Sequence, residues 1–192
     1  MNIQISDPLI PGTVLEREKM GNVTGIEFLR KIFYITDGIM LSQIRDISGI
    51  DGSTLQNWTK RGWVANAKLK RYNIDQVAHI LIINMLRSCM QLDRIAFLIR
   101  YINGSVDDRS DDIISDSVLY DYICKIVDRL MNSTLCDSEG IDQVIREITA
   151  DYEEKVTGAR KRLEKALEII VFSYYASIIK QHSDQQIEKL MK

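Results

Sequence analysis

Apolar residues recur three and four positions apart along most of the chain and alternate with polar ones almost nowhere. That spacing lays an apolar stripe along one side of an α-helix, so the pattern predicts a mainly α protein. Pro8, Pro11 and Gly12 oppose a helix in the first dozen residues, where an extended arm is expected. A helix follows from Thr24, with Glu27 at capping-box spacing and Ile26, Leu29, Ile32 and Phe33 on its apolar side, until Asp37-Gly38 stops it. Two short helical patterns then occupy 41–48 and 53–61, and 62–72 reads as a loop with β tendency. Asn73 and Gln76 form a second capping box, heading a helix that reaches Cys89, and another helix covers 92–101. The segment 105–112, with four aspartates in eight residues, is the expected linker. Beyond it, 113–131 reads as one amphipathic helix, and 138–182 as one long helix or as two broken at Gly158.

Function is written most legibly between Leu41 and Val64. Leu41, Ile44 and Ile47 supply one apolar face, and Leu55 and Trp58 supply the other. Gly49 can take the positive φ of the turn between them, Ile50 plugs the angle, and Ser53 or Asp51 caps the second helix. This arrangement leaves Ser53, Thr54, Gln56, Asn57, Lys60 and Arg61 pointing outward. Amides and hydroxyls of that kind hydrogen-bond base edges or phosphates, and the cations neutralise the nucleic-acid backbone. An ordinary helical hairpin with a polar face shows the same pattern. What distinguishes this one is the run Lys68-Leu69-Lys70-Arg71-Tyr72 that follows, placed just before the capping Asn73.

In their order and spacing these features resemble the MerR family of winged helix-turn-helix regulators. The run from Thr54 to Trp63 stands where that family reads T-L-R-Y-Y-E-R-x-G-L. Lys70 and Arg71 match the family's basic wing, and Tyr72 its closing aromatic. Val77 to Ile95 match the two-helix hairpin after the wing, so the resemblance covers about 40–103. It implies a winged helix-turn-helix with a small β-wing within 64–72. The layout is also similar to that of an uncharacterised bacterial family with a MerR-like DNA-binding region and a helical C-terminal part. Three departures alter the contacts implied. Gln56 replaces an arginine, Asn57 a tyrosine and Lys68 a wing glycine. Metal sensing is not carried over, because the second half lacks the family's single long dimerisation helix followed by a cysteine loop.

Charge sharpens the picture. Net charge is −2, yet 41–72 holds six basic and two acidic side chains, against twelve and eighteen in 105–192. With 45% hydrophobic and 27% charged residues, the chain suits a folded globular protein. Cys89, Cys124 and Cys136 are odd in number and far apart, as free thiols in a reducing cytosol would be. The start lacks a basic-then-apolar leader, and the most apolar stretch, 166–179, is too short to span a bilayer. A cytoplasmic protein without a membrane partner is expected, nucleoid-associated when bound.

Candidate chemistry is sparse. His79 and His182 have no third ligand type nearby, and Asp107, Asp108, Asp111 and Asp112 lack the ligand order of a calcium loop, so neither metal nor cofactor is expected. Phosphate-cradling, nucleophile-elbow and zinc-protease motifs are missing, and an enzyme is not expected. Tyr152, Phe172, Tyr174 and Tyr175 suit an effector pocket, a core or a dimer interface. The expectation is a homodimeric transcription regulator that binds double-stranded DNA. Residues 1–104 form the arm, helix and winged helix-turn-helix, and 105–192 a helical dimerisation and effector region, paired through the apolar surface of 113–131 and 166–179. Ser53, Thr54, Gln56 and Asn57 would reach base edges, and Lys60, Arg61, Lys68, Lys70 and Arg71 phosphates. The rival is a winged-helix scaffold that binds a protein partner without specific DNA, a reading favoured by the residues at 56 and 57.

Overall fold

The computed structural model describes residues 7–104, 109–131 and 138–191. After a 3-10 turn at Glu18–Met20 come α1 (Gly25–Ile32), β1 (Ile39–Met40), α2 (Leu41–Ser48), α3 (Gly52–Lys60) and β2 (Arg71–Tyr72). Then follow α4 (Ile74–Leu86), α5 (Leu92–Asn103), α6 (Asp116–Met131), α7 (Ser138–Ile148) and α8 (Ala159–Leu190). The protein is mainly α, with a single two-stranded sheet among the described residues. No helix among them is long and apolar enough to cross a membrane.

α6 is apolar on most sides and is therefore enclosed on most sides. Leu119, Tyr120, Ile123, Ile126, Val127 and Leu130 are buried against α1, α4, α7 and α8. The surface of 113–131, expected to pair two copies, is thus covered within one chain, because α1 and α4 need an apolar partner of their own. The segment expected as a linker joins elements of a single core. Asn103 donates through Nδ2 to the Ile114 carbonyl at 2.6 Å, and Ile114 N–H donates back to Asn103 Oδ1 at 3.3 Å. Asp107, Asp108 and Cys136 lie outside the described residues.

Residues 7–12 are non-helical, as expected of the arm, and are anchored on the helices. Tyr120 donates its hydroxyl to the Pro11 carbonyl at 2.7 Å, and Tyr174 to Asp7 Oδ2 at 2.5 Å. Ile10 is buried in the core. α1 starts after Thr24 as its sequence predicts, but the cap comes from elsewhere. Thr24 donates its hydroxyl to Asp128 Oδ2 at 2.7 Å, and Asp121 Oδ1 accepts the Ile26 N–H at 2.8 Å. A carboxylate from α6 therefore meets the positive end of α1. Gly25 has φ +57° there, and a Cβ on it would sit 2.3 Å from Asp121 Oδ1, so only glycine fits.

α1 ends at Ile32, earlier than Asp37. The residues released form a turn that delivers Ile39 to Tyr72 and Met40 to Arg71 in an antiparallel pair. The expected wing was a sheet internal to 64–72. Instead the sheet takes one strand from each side of α2 and α3, because the 68–71 turn closes on itself too tightly to continue a ladder. The C-terminal helical pattern breaks after Ile148, earlier than expected, and Gly158, with φ +84°, precedes the start of α8, which continues beyond residue 182 to Leu190. Tyr152 donates its hydroxyl to the Ile113 carbonyl at 3.2 Å and Tyr174 is buried, whereas Phe172 faces outward. These aromatic side chains do not line one effector pocket.

Candidate nucleic-acid interface

Burial of Leu55 and Trp58 fixes which side of α3 faces solvent. α2 brings Ile44 to them, and Gly49 turns the chain with φ +69° so that Ile50 enters the angle. The turn is held from outside the motif. Asn84 of α4 donates through Nδ2 to the carbonyls of Ser48 at 2.9 Å and Gly12 at 2.8 Å. On the far side, Arg87 places its guanidinium 5.8 Å from the Trp58 ring. His79 anchors the exit from α3, with Nε2 bonded to the Trp63 carbonyl at 2.8 Å and Nδ1 3.2 Å from Asp116 Oδ2. Burial pushes the Asp116 carboxyl up, but His79 and Arg109 outweigh it and hold it below its ordinary value.

Asp51 is the residue that caps α3, accepting the Thr54 N–H at 2.8 Å. Its carboxylate also accepts the Ser53 hydroxyl at 2.5 Å and the Thr54 hydroxyl at 2.7 Å. Those bonds, from Ser53 first and then Thr54, lower the Asp51 carboxyl well below its ordinary range. The hydroxyls expected at base edges are therefore committed to a cap, since Asp51 is the nearer acceptor. Gln56, Asn57 and Lys60 are exposed on the next turns. Arg61 is exposed but drawn back, with its Nε 3.4 Å from Asn57 Oδ1 and its guanidinium 5.0 Å from the Trp63 ring.

After α3 the chain packs Trp63 and Val64 into the core and then turns sharply. Lys68 and Arg71 exchange two backbone hydrogen bonds of 3.0 and 2.9 Å, closing a turn on two central residues. Those residues, Leu69 and Lys70, have φ of +50° and +63°, a backbone that normally selects asparagine or glycine. Leu69 is 96% exposed at the tip. Of the basic residues expected here, Lys68 and Lys70 are exposed and meet no side-chain partner among the described residues. Arg71 is different. Its guanidinium donates to the Gly38 carbonyl at 2.7 Å and lies 3.4 Å from Thr36 Oγ1, tying the turn to the loop before β1.

Three features escaped the sequence reading. One is the role of the 36–38 loop as the anchor of Arg71, which only the pairing of Ile39 with Tyr72 could have signalled. Another is a cleft of about 540 Å³ between this loop and the turn, edged by Ile35, Lys68 and Leu69. The third is exposed apolar surface beside it, with Tyr34 87% and Ile35 89% exposed. Among the described residues no group of three or more His, Cys, Asp or Glu side chains is placed to hold a metal ion.

Comparison with known proteins places this arrangement in a family. A stretch of 96 residues is 26% identical to "Uncharacterized protein YkrK" of Bacillus subtilis (strain 168), covering 48% of this chain and 41% of that relative. The chain thus spans well under half the length of the curated relative it matches. No solved structure matches. The model of a domain of unknown function, DUF1836, matches residues 17–123, which run from the 3-10 turn into α6 and contain α1 to α5 entire. That match covers more than half of the sequence, and the chain belongs to the DUF1836 family.

Proposed function

We propose that this protein is a transcription regulator that binds double-stranded DNA as a homodimer, through a winged helix-turn-helix formed by 41–72. The observation that carries the reading is the succession of two exposed features in one short stretch. The polar side of α3, with Gln56, Asn57 and Lys60, is followed by a protruding turn carrying Lys68 and Lys70. In this reading α3 enters the major groove, where Gln56 and Asn57 meet base edges. Lys60, Lys68 and Lys70 neutralise phosphates, and Arg61 and Arg71 orient the two elements rather than contact DNA. Ser53 and Thr54 preserve the start of α3. Such a protein acts in the cytoplasm, on nucleoid DNA. Dimerisation follows from the small number of base contacts one copy can offer, since two copies double them over matched half-sites. Selection of genomic fragments by the purified protein tests this. A shared motif with two related half-sites is the expected result, and failure to retain any duplex at low salt rules the reading out.

A second reading is favoured by Ile35 and Leu69, exposed apolar side chains that edge one cleft, with exposed Tyr34 preceding Ile35 in the chain. On it the same scaffold binds a protein partner without specific DNA. Replacing Tyr34 and Ile35 by Ser leaves DNA affinity unchanged in the first reading and removes the partner in the second.

A further inference from the structure

α8 is apolar on two opposite sides. Leu163, Leu167, Ile170, Val171, Tyr174 and Ile178 are buried against the body of the protein. At about 100° per residue, Ile169, Phe172, Ala176, Ile179, Ile187 and Leu190 fall on one strip of the reverse side. That strip is bare, with Phe172 45%, Ile179 55% and Leu190 87% exposed. Beside its inner half, Phe97 and Tyr101 of α5 are also exposed and stacked, their ring centroids 6.4 Å apart. Tyr101 shares a cleft with Lys165 and Glu168, which fixes the level of this pair along α8. From Ile179 to Leu190 every residue of α8 is exposed, so among the described residues nothing covers the outer half. A helical segment that short is marginal in water unless packing supports it.

We propose that a second copy of the chain covers this strip. The outer half of each α8 lies across the inner half of the other, with Phe97 and Tyr101 at the edge of the contact. Both bare halves belong to one continuous helix, so neither can fold back to cover the other. A two-fold pair covers all four at once, because a self-complementary surface closes on itself. Charge agrees with this occupant. Lys165, Glu168, Lys180, Asp184, Glu188 and Lys189 give three cations and three anions over 165–190, although 105–192 is acidic as a whole. The pairs Lys165–Glu168 and Lys180–Asp184 close within the chain at 2.7 and 2.6 Å, so like charges do not face one another unscreened. Ala176 and Ser183, near the crossing, are small enough for the helices to approach closely.

The proposal rests on the homodimeric part of the proposed function and is independent of its DNA part. Light scattering and circular dichroism on the full chain test it, with disulfide trapping in a background of Cys89→Ser and Cys136→Ser. The wild type should show twice the 22.1 kDa mass of one chain at micromolar concentration. Phe172→Glu with Ile179→Glu should halve that mass, and the helix content should fall by no more than the outer half of α8. Ile179→Cys, close to the crossing, should oxidise to a covalent dimer, and Leu190→Cys should not. A monomeric wild type, a double-Glu variant that stays dimeric, or trapping through Leu190→Cys would each overturn the proposal. DNA binding by the same proteins separates the two claims. A dimer that ignores DNA refutes the DNA reading alone, and a monomer that binds DNA refutes this interface alone.

Discussion

The nine side chains that sequence reasoning assigned to DNA divide into those held by the protein and those left to act. Ser53 and Thr54 are bound to Asp51, and Arg71 to Gly38, by neighbours that a one-dimensional pattern cannot rank. Arg71→Ala should therefore act first on stability. Losing the bond to a buried carbonyl costs about 1 kcal/mol, readable as a lower urea midpoint, while the salt dependence of DNA binding changes less than in Lys70→Ala. An Arg71→Ala protein of wild-type stability would contradict that assignment. Gln56 and Asn57 remain exposed on α3. Replacing either by Ala should relax preference at one base position, by about 1–3 kcal/mol between preferred and altered duplexes, without changing the salt slope.

At the scale of elements, what was legible depended on how far apart the cooperating residues lie. The capping box of Asn73 and Gln76 and the turn at Gly49 are local, and both appear as read. The cap of α1 comes from Asp121, 95 residues beyond Ile26, and no window along the chain can reveal it. The pairing of Ile39 with Tyr72 is hidden for the same reason, as is the enclosure of α6 by α1 and α4. A helix that is apolar on several sides announces burial but not by what, and the α6 surface consequently read as a dimer face. Two substitutions test these elements. Gly25→Ala should lower stability by more than about 1 kcal/mol, since the added Cβ meets Asp121 and the left-handed backbone disfavours alanine. Replacing Leu69 and Lys70 by Asn and Gly should raise stability by about 1 kcal/mol, because that pair accepts positive φ in a two-residue turn without strain. Thermal melts decide both, and a stabilised Gly25→Ala protein would contradict the packing of α1 on α6.

The whole molecule shares one core, and its response to pH should follow the groups buried there. Burial pushes the Cys124 thiol up to about 12 and the Tyr120 and Tyr174 phenols well above their ordinary value. An unfolded cysteine ionises near pH 8.5 and an unfolded tyrosine near about 10, so above those values unfolding releases protons that the native core retains. Stability is accordingly complete below about pH 8.5 and falls as pH climbs toward the raised values. Asp116 acts in the other direction. Its lowered carboxyl contributes stability that is present above about pH 4 and is lost as pH falls through the lowered value. Urea midpoints from about pH 3 to about pH 11 should trace a plateau with two falling limbs, and Cys124→Ala should make the alkaline limb begin later. A midpoint that holds steady to about pH 11 would show that these groups are not enclosed as described.

DNA binding by the dimer is the central claim, and the salt dependence of its affinity tests it most directly. On the proposed reading, Lys60, Lys68 and Lys70 would give three phosphate contacts per copy, so the logarithm of the binding constant should fall with the logarithm of salt with a slope of about −5 for a dimer. Lys70→Ala removes one contact per copy and should reduce that slope by about two units, on preferred and scrambled duplexes alike. No measurable binding at low salt, or a slope that none of the three lysines alters, would contradict the account.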